Sequence, residues 1–161
     1  MIVIKKNPNG DTRTAGKAVT IEEFRKANQM HKIDVSRAMS FFSERINTAG
    51  ILHDFTKTTE EKLFYDDFES AIKRGTNFVE DQWYQLHIAK ERHHLLSRCP
   101  DDVDLVDVLE MICDCVCAGL ARSGEVRDLE IRSDILELAV KNTARKLADN
   151  IVVVDAEESE D

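Results

Sequence analysis

The sequence predicts an all-α bundle of five to seven helices, with a short strand pair formed by the termini. Three observations carry this expectation. Apolar residues recur with a period near 3.6 over most of the chain. Six glycines and two prolines in 161 residues are few for a chain built of β-turns. Helix-starting residues precede the periodic runs: Thr20-Ile21-Glu22-Glu23 is a capping box, with Thr at the N-cap and Glu three positions on.

Residues 1–5 alternate weakly and read as a strand, and Asn7-Pro8-Asn9-Gly10 is a turn. Asp11 to Ala18 is polar and irregular, with Arg13 between Thr12 and Thr14. From His31 the apolar positions are Val35, Ala38, Met39, Phe42, Ile46 and Ala49, a helical stripe that points His31 inward. Gly50 marks a break, so Ile51 to Phe55 forms a short segment carrying His53 and Asp54. Thr58 or Thr59 caps the next helix, which runs through Leu63, Phe64, Phe68, Ala71 and Ile72 and ends at Arg74-Gly75. Phe78 to His94 reads as another helix. Val103 to Ala121 reads as the most hydrophobic one, closed by Arg122-Ser123-Gly124, and Ser133 to Leu147 as the last. Ile151 to Val154 is β-prone and pairs with residues 1–5. A single domain is expected over 1–154, followed by an acidic disordered tail at 155–161.

The formal net charge of −9 disfavours long nucleic acid, whose backbone an acidic surface repels. A small phosphorylated ligand remains compatible, because a metal ion supplies positive charge locally. No apolar run approaches the roughly 20 residues that span a bilayer, and Met1-Ile2-Val3-Ile4-Lys5-Lys6 has no signal-peptide core. The expected location is the cytoplasm, with no membrane partner; a homo-oligomer is compatible with the composition. Cys113, Cys115 and Cys117 alternate along a helix and cannot share a tetrahedral site there. With Cys99 they read as small buried hydrophobes in a reducing compartment.

Ile51-Leu52-His53-Asp54-Phe55-Thr56-Lys57 places two metal-binding side chains side by side, with a lysine three residues on. All five histidines, His31, His53, His87, His93 and His94, lie in the middle of the chain. His87, Glu91 and His94 at i, i+4 and i+7 share one helical face, and His93 joins them where the helix loosens. A solvated polar face beside Trp83 is the plainer alternative. Asp114 is a carboxylate in an apolar helix and needs either a buried basic partner or a metal shared with His31, His53 and Asp54. Imidazole with carboxylate suits Zn, Mn, Fe, Co or Ni. Several histidines around a bridging aspartate hold one or two such ions, and two would activate water for in-line attack on phosphorus.

The order His31, then His53-Asp54, then Asp114 resembles the HD superfamily of metal-dependent phosphohydrolases, over roughly residues 20–125. The resemblance is closest at Ala49-Gly50-Ile51-Leu52, the His53-Asp54 pair and Lys57. It implies an HD-domain-like helical bundle in which His31, His53, Asp54 and Asp114 hold the first metal. His87, His93 and His94 resemble the ligands of the two-metal branch, so Asp54 would bridge to a second ion held by His87 with His93 or His94. No Gly-Tyr-Pro follows His93-His94, unlike the cyclic-dinucleotide branch; Ser97-Arg98-Cys99-Pro100 stands there. The stretches around Arg13 and Arg122 look like small HD-like bacteriophage proteins with no assigned substrate, which would place the chain in a host cytoplasm. By the same resemblance Asp54 and Lys57 are catalytic, with Glu91 a general acid or a partner of a histidine. Arg13, Arg37 and Arg122 are candidate phosphate contacts. The implied function is hydrolysis of a nucleotide or similar small phosphorylated metabolite. The alternatives are a phosphodiesterase for cyclic nucleotides or dinucleotides, and a non-catalytic nucleotide- or metal-binding module that counters a host system.

Overall fold

A computed structural model describes residues 1–11, 13–126 and 128–155. The described residues are all-α, with one small sheet. In chain order the elements are β1 (Ile2–Lys5), α1 (Ile21–Leu52), α2 (Phe55–Thr59), α3 (Glu61–Arg74), α4 (Gln82–Lys90), α5 (Leu105–Ser123), α6 (Ser133–Ala148) and β2 (Ile151–Val154). Short 3-10 turns at Pro8–Gly10 and Phe78–Glu80 complete them. No helix among these residues is long and apolar enough to cross a membrane. The expected acidic tail falls, from residue 156, outside the described residues.

The chain forms two compact units, Met1–Glu44 with Ala144–Asp161, and Arg45–Thr143. In the first, β1 and β2 pair in parallel with Ile2 opposite Ile151 and Lys5 opposite Val154. The capping box opens α1 as expected: Glu23 N donates to Thr20 Oγ1 (3.2 Å), and Thr20 N donates to Glu23 Oε2 (2.7 Å).

Three expectations for α1 are corrected. The helix runs unbroken through Gly50 to Leu52. One glycine costs a helix only about 1 kcal/mol, too little to end it without a competing turn. The stripe is not buried: Val35 is 47% and Met39 64% exposed. His31, on that stripe, is exposed rather than inward-pointing.

The second unit holds a core of Leu95, Val103, Val108, Met111, Ile135 and Ala139. Asn142 on α6 donates to Val103 O (2.9 Å) and Asp101 O (3.1 Å), and Thr143 Oγ1 accepts from Leu105 N (2.8 Å). These bonds fix the start of α5, where Asp104 is the N-cap and forms a capping box with Asp107. At the other end Gly124 adopts the left-handed conformation (φ 74°) that closes the helix.

The four cysteines are free thiols, none of them buried: Cys113 and Cys117 are exposed, Cys99 and Cys115 intermediate. The apolar pattern of α5 placed them inside. The helix instead turns Val108 and Met111 to the core and leaves the 113/117 face open.

Candidate metal centre

Five segments of the second unit bring the titratable residues together. His53 and Asp54 follow directly on α1. Asp54 is the one non-glycine among the described residues with positive φ (56°, ψ 32°). That left-handed turn ends α1 and starts α2, and short polar side chains tolerate it best. It also aims His53 and Asp54 to the same side as α4 and α5.

α4 presents His87, packed flat on Trp83 (ring centroids 4.6 Å apart), which itself stacks on Phe64 of α3 (4.0 Å). The aromatic stack buries one face of the imidazole and fixes its plane. α4 then stops at Lys90, and Glu91 is extended (φ −84°, ψ 123°). The expected helix through His94 is therefore wrong, and the shared face of His87, Glu91 and His94 with it. Two tertiary interactions outweigh the helical period. Glu91 Oε1 accepts from Thr56 N (2.8 Å) and Thr56 Oγ1 (2.6 Å). Arg92 makes a two-pronged pair with Asp107 (2.8 Å each) and also donates to Asp102 Oδ1 (3.0 Å). Pinned on both sides, the chain turns, and both His93 and His94 fold back toward His87.

The imidazole Nε2 atoms converge on one carboxylate. Asp54 Oδ1 lies 3.5 Å from His87 Nε2 and 3.7 Å from His93 Nε2, while Asp54 Oδ2 lies 3.4 Å from His53 Nε2. His94 Nε2 is 2.7 Å from His87 Nε2, and Asp114 Oδ1 is 3.6 Å from His53 Nε2. The opposite nitrogens are held from behind. Glu110 Oε1 stands 3.0 Å from Nδ1 of both His53 and His93. Thr56 Oγ1, fully buried, is 2.7 Å from His87 Nδ1. Because the Thr56 hydroxyl donates to Glu91, its oxygen is left to accept, so His87 carries its proton on Nδ1 and keeps the Nε2 lone pair for the centre.

Electrostatics follow from this arrangement. Burial, then the neighbouring His94, pushes His87 down to about 4, so it is neutral near pH 7. Burial, then His93, also lowers His94. Burial works against charge on His93, but Glu110 outweighs it and the net direction is upward. Burial likewise opposes charge on Asp54 and Glu110. Lys57 hydrogen-bonded to Asp54, and the imidazoles beside Glu110, hold both carboxyls below their ordinary values.

Three overlapping sets of donors have atoms all within 4.8 Å of one another: Asp54, His87, His93 and His94; His53, Asp54 and Asp114; and His53, His93 and Glu110. Donors at about 2.1 Å from a small divalent ion stand roughly 3 Å apart, close to the spacings seen here. His93 supplies an independent test of fit. It is 1% exposed, and its Nε2, on the side away from Glu110, has no hydrogen-bond partner. A buried imidazole left in this state is costly unless something binds it. The residues could therefore hold a metal ion.

Of the residues expected from sequence, the structure gathers His53, Asp54, His87, His93, His94 and Asp114. Lys57 pairs with Asp54 at the rim. Glu91 sits behind Thr56 and His87 rather than facing the centre. His31, Arg13 and Arg37 belong to the first unit, and His31 is in none of the three donor sets. Arg13 pairs with Asp11 (2.6 Å) and Arg37 with Asp34 (3.3 Å). Arg122 lines a second crevice that reaches Asp114, together with Asp128 and Glu130. Thr56, Arg92 and Glu110 are further residues of the centre and its supports. Glu110 had a signal, one turn before Asp114 on the same face; Thr56 and Arg92 had none beyond adjacency to the histidines.

A family described only as one of unknown function, DUF5662, matches residues 20–153. The chain belongs to that family. The matched DUF5662 region includes every residue of the centre. No curated protein and no solved structure matches the chain.

Proposed function

We propose that this member of DUF5662 is a metal-dependent phosphohydrolase of the HD type acting on a small phosphorylated substrate. The single observation that carries the reading is the convergence of four imidazole Nε2 atoms and Asp114 around Asp54. A divalent transition metal would supply the positive charge that acidifies water and offsets charge building on phosphoryl oxygens. His53, Asp54, His87, His93, His94 and Asp114 would hold one or two ions, with Asp54 shared by two of the three donor sets.

The chain's own groups supply the rest. Glu110 behind His53 and His93, and Thr56 behind His87, orient these three imidazoles so that each presents a lone pair inward. Lys57, released from Asp54 when that carboxylate is engaged, neutralises a non-bridging phosphoryl oxygen at the rim. Glu91 holds Thr56 and through it His87, a positioning role.

The test is metal content after purification without chelator, compared with Asp54→Asn. Asparagine tolerates the left-handed backbone at this position, so the fold is kept while the charge is lost. One or two equivalents in the wild type, with strong loss in Asp54→Asn, are expected, along with turnover of at least one ester in a phosphate panel. A wild type that takes up neither Mn nor Co refutes the reading. Stoichiometric metal with no turnover across nucleotides, cyclic dinucleotides and simple esters favours a binding module instead.

A further inference from the structure

A cleft of about 290 Å³ opens beside the centre, between the C-terminal turns of α1 and the exposed face of α5. Ile46, Ala49 and Gly50 form one wall, and Leu109, Cys113 and Cys117 the other. Its polar side chains are His53, Glu110 and Asp114, all of them in the donor sets of the centre. The cleft is therefore continuous with the centre at one end and apolar along its walls.

This composition discriminates between ligands. The wall side chains offer no hydrogen-bonding group stronger than a thiol. A nucleobase placed there would leave the polar atoms of its edge unpaired, at roughly a tenfold loss of affinity for each. An alkyl or aryl group loses nothing and gains from burial. The volume sits at the lower end of small-molecule pockets, enough for a ring or a branched chain. Gly50 adds to the space: apart from its chain neighbours and its own helix backbone, no atom lies within 4 Å of where its side chain would begin.

We propose that this cleft receives the apolar organic group of the substrate, which makes the substrate an alkyl or aryl phosphate ester rather than a nucleotide. The inference rests on the hydrolase reading above. In the reaction the water oxygen forms a bond to phosphorus, the P–O bond to the organic group breaks, and the alcohol leaves with a proton that originates on the water. The products are the alcohol and inorganic phosphate.

The experiment uses the full chain reconstituted with Mn and has two readouts. The first compares cyclohexylmethyl phosphate with glycerol 3-phosphate, both primary alkyl esters with similar leaving groups. The apolar ester is expected to have a KM roughly 30-fold lower, as burial of its ring predicts. Gly50→Leu fills the cleft from a position that supplies no donor and should abolish that preference. The second readout is alkylation of the exposed thiols Cys113 and Cys117 by iodoacetamide. The non-hydrolysable 1-naphthylmethyl phosphonate should protect both in the wild type and neither in Gly50→Leu, with Cys99 and Cys115 unchanged. Thermal melting of Gly50→Leu controls for folding. No protection, or equal KM values for the two esters, overturns the proposal. Thiols that react only on dilution mean that a second copy covers the cleft, and also overturn it. Failure of the hydrolase reading registers separately, as no metal and no turnover, while thiol protection still reports on the cleft.

Discussion

Replacing Thr56 with valine keeps the side-chain volume and removes one hydroxyl. That hydroxyl donates to Glu91 Oε1 at 2.6 Å and accepts from His87 Nδ1 at 2.7 Å, and the residue is fully buried. Losing the bond to the carboxylate costs about 1.5–3 kcal/mol. Leaving the His87 N–H buried without a partner costs about 1–3 kcal/mol more. The sum, roughly 2.5–6 kcal/mol, is a large share of the 5–15 kcal/mol typical of a domain and corresponds to a fall in Tm of about 10 °C. The effect on metal is separate. Without Thr56 behind it, His87 is free to put its proton on Nε2, where it blocks the lone pair that faces Asp54. Affinity should fall about 10–100-fold. The assays are urea denaturation of the metal-free protein and titration with Co, followed by its absorption. Thr56→Ser restores the hydroxyl and should recover metal affinity while giving back only part of the stability. A valine variant that binds metal as tightly as wild type would refute the tautomer argument, whatever its stability.

Two further outcomes follow from the same contacts. Arg92→Lys keeps the charge but loses the fork that grips Asp107, so the His93–Leu95 turn should loosen at a cost of about 1 kcal/mol. Amide exchange at Leu95, whose N–H donates to His93 O at 2.9 Å, should accelerate, and an unchanged rate would show that Arg92 does not hold the turn. The metal-free protein should also lose stability as pH falls. His87 titrates near 4 in the folded chain against an ordinary 6.5, so the unfolded chain binds the extra proton first. Stability from this group is complete above the unfolded value and lost as pH drops through the window down to about 4, by up to about 3 kcal/mol. Melting in chelator between about pH 7 and pH 4.5 reads this out; a loss no smaller in His87→Gln than in wild type would assign the effect to other groups.

Much of the fold was legible because helices announce themselves locally. The Thr20-Glu23 box, Gly75 and Gly124 mark ends through backbone chemistry that needs no tertiary context. The terminal strand pair was legible from the β-branched residues at both ends. The centre was legible in its membership but not in its construction. Nothing near residue 91 resembles a helix stop; α4 ends because Glu91 and Arg92 find partners 35 and 15 residues away in sequence. Periodicity carried the helix past that point and placed His94 correctly for the wrong reason. The inward orientation expected of His31 failed for the converse reason. Its stripe has helical period, but period alone does not say which face is covered, and Val35 and Met39 are open. The α5 thiols show the same weakness, since Cys is as compatible with an open apolar face as with a core.

The parallel pairing of β1 with β2 carries a cost during synthesis. Ile2 and Ile151 are 149 residues apart, so at typical translation rates of about 5–20 residues per second Ile2-Val3-Ile4 waits on the order of ten seconds for the strand it pairs with. Throughout that interval a short β-prone apolar segment trails from the ribosome with its backbone unpaired, the kind of stretch that recruits a neighbouring nascent chain. Lys5 and Lys6, directly behind it, put two like charges where such stacking would begin. A chain with both lysines replaced by threonine should reach the same native structure and yet yield more inclusion bodies on overexpression at high temperature.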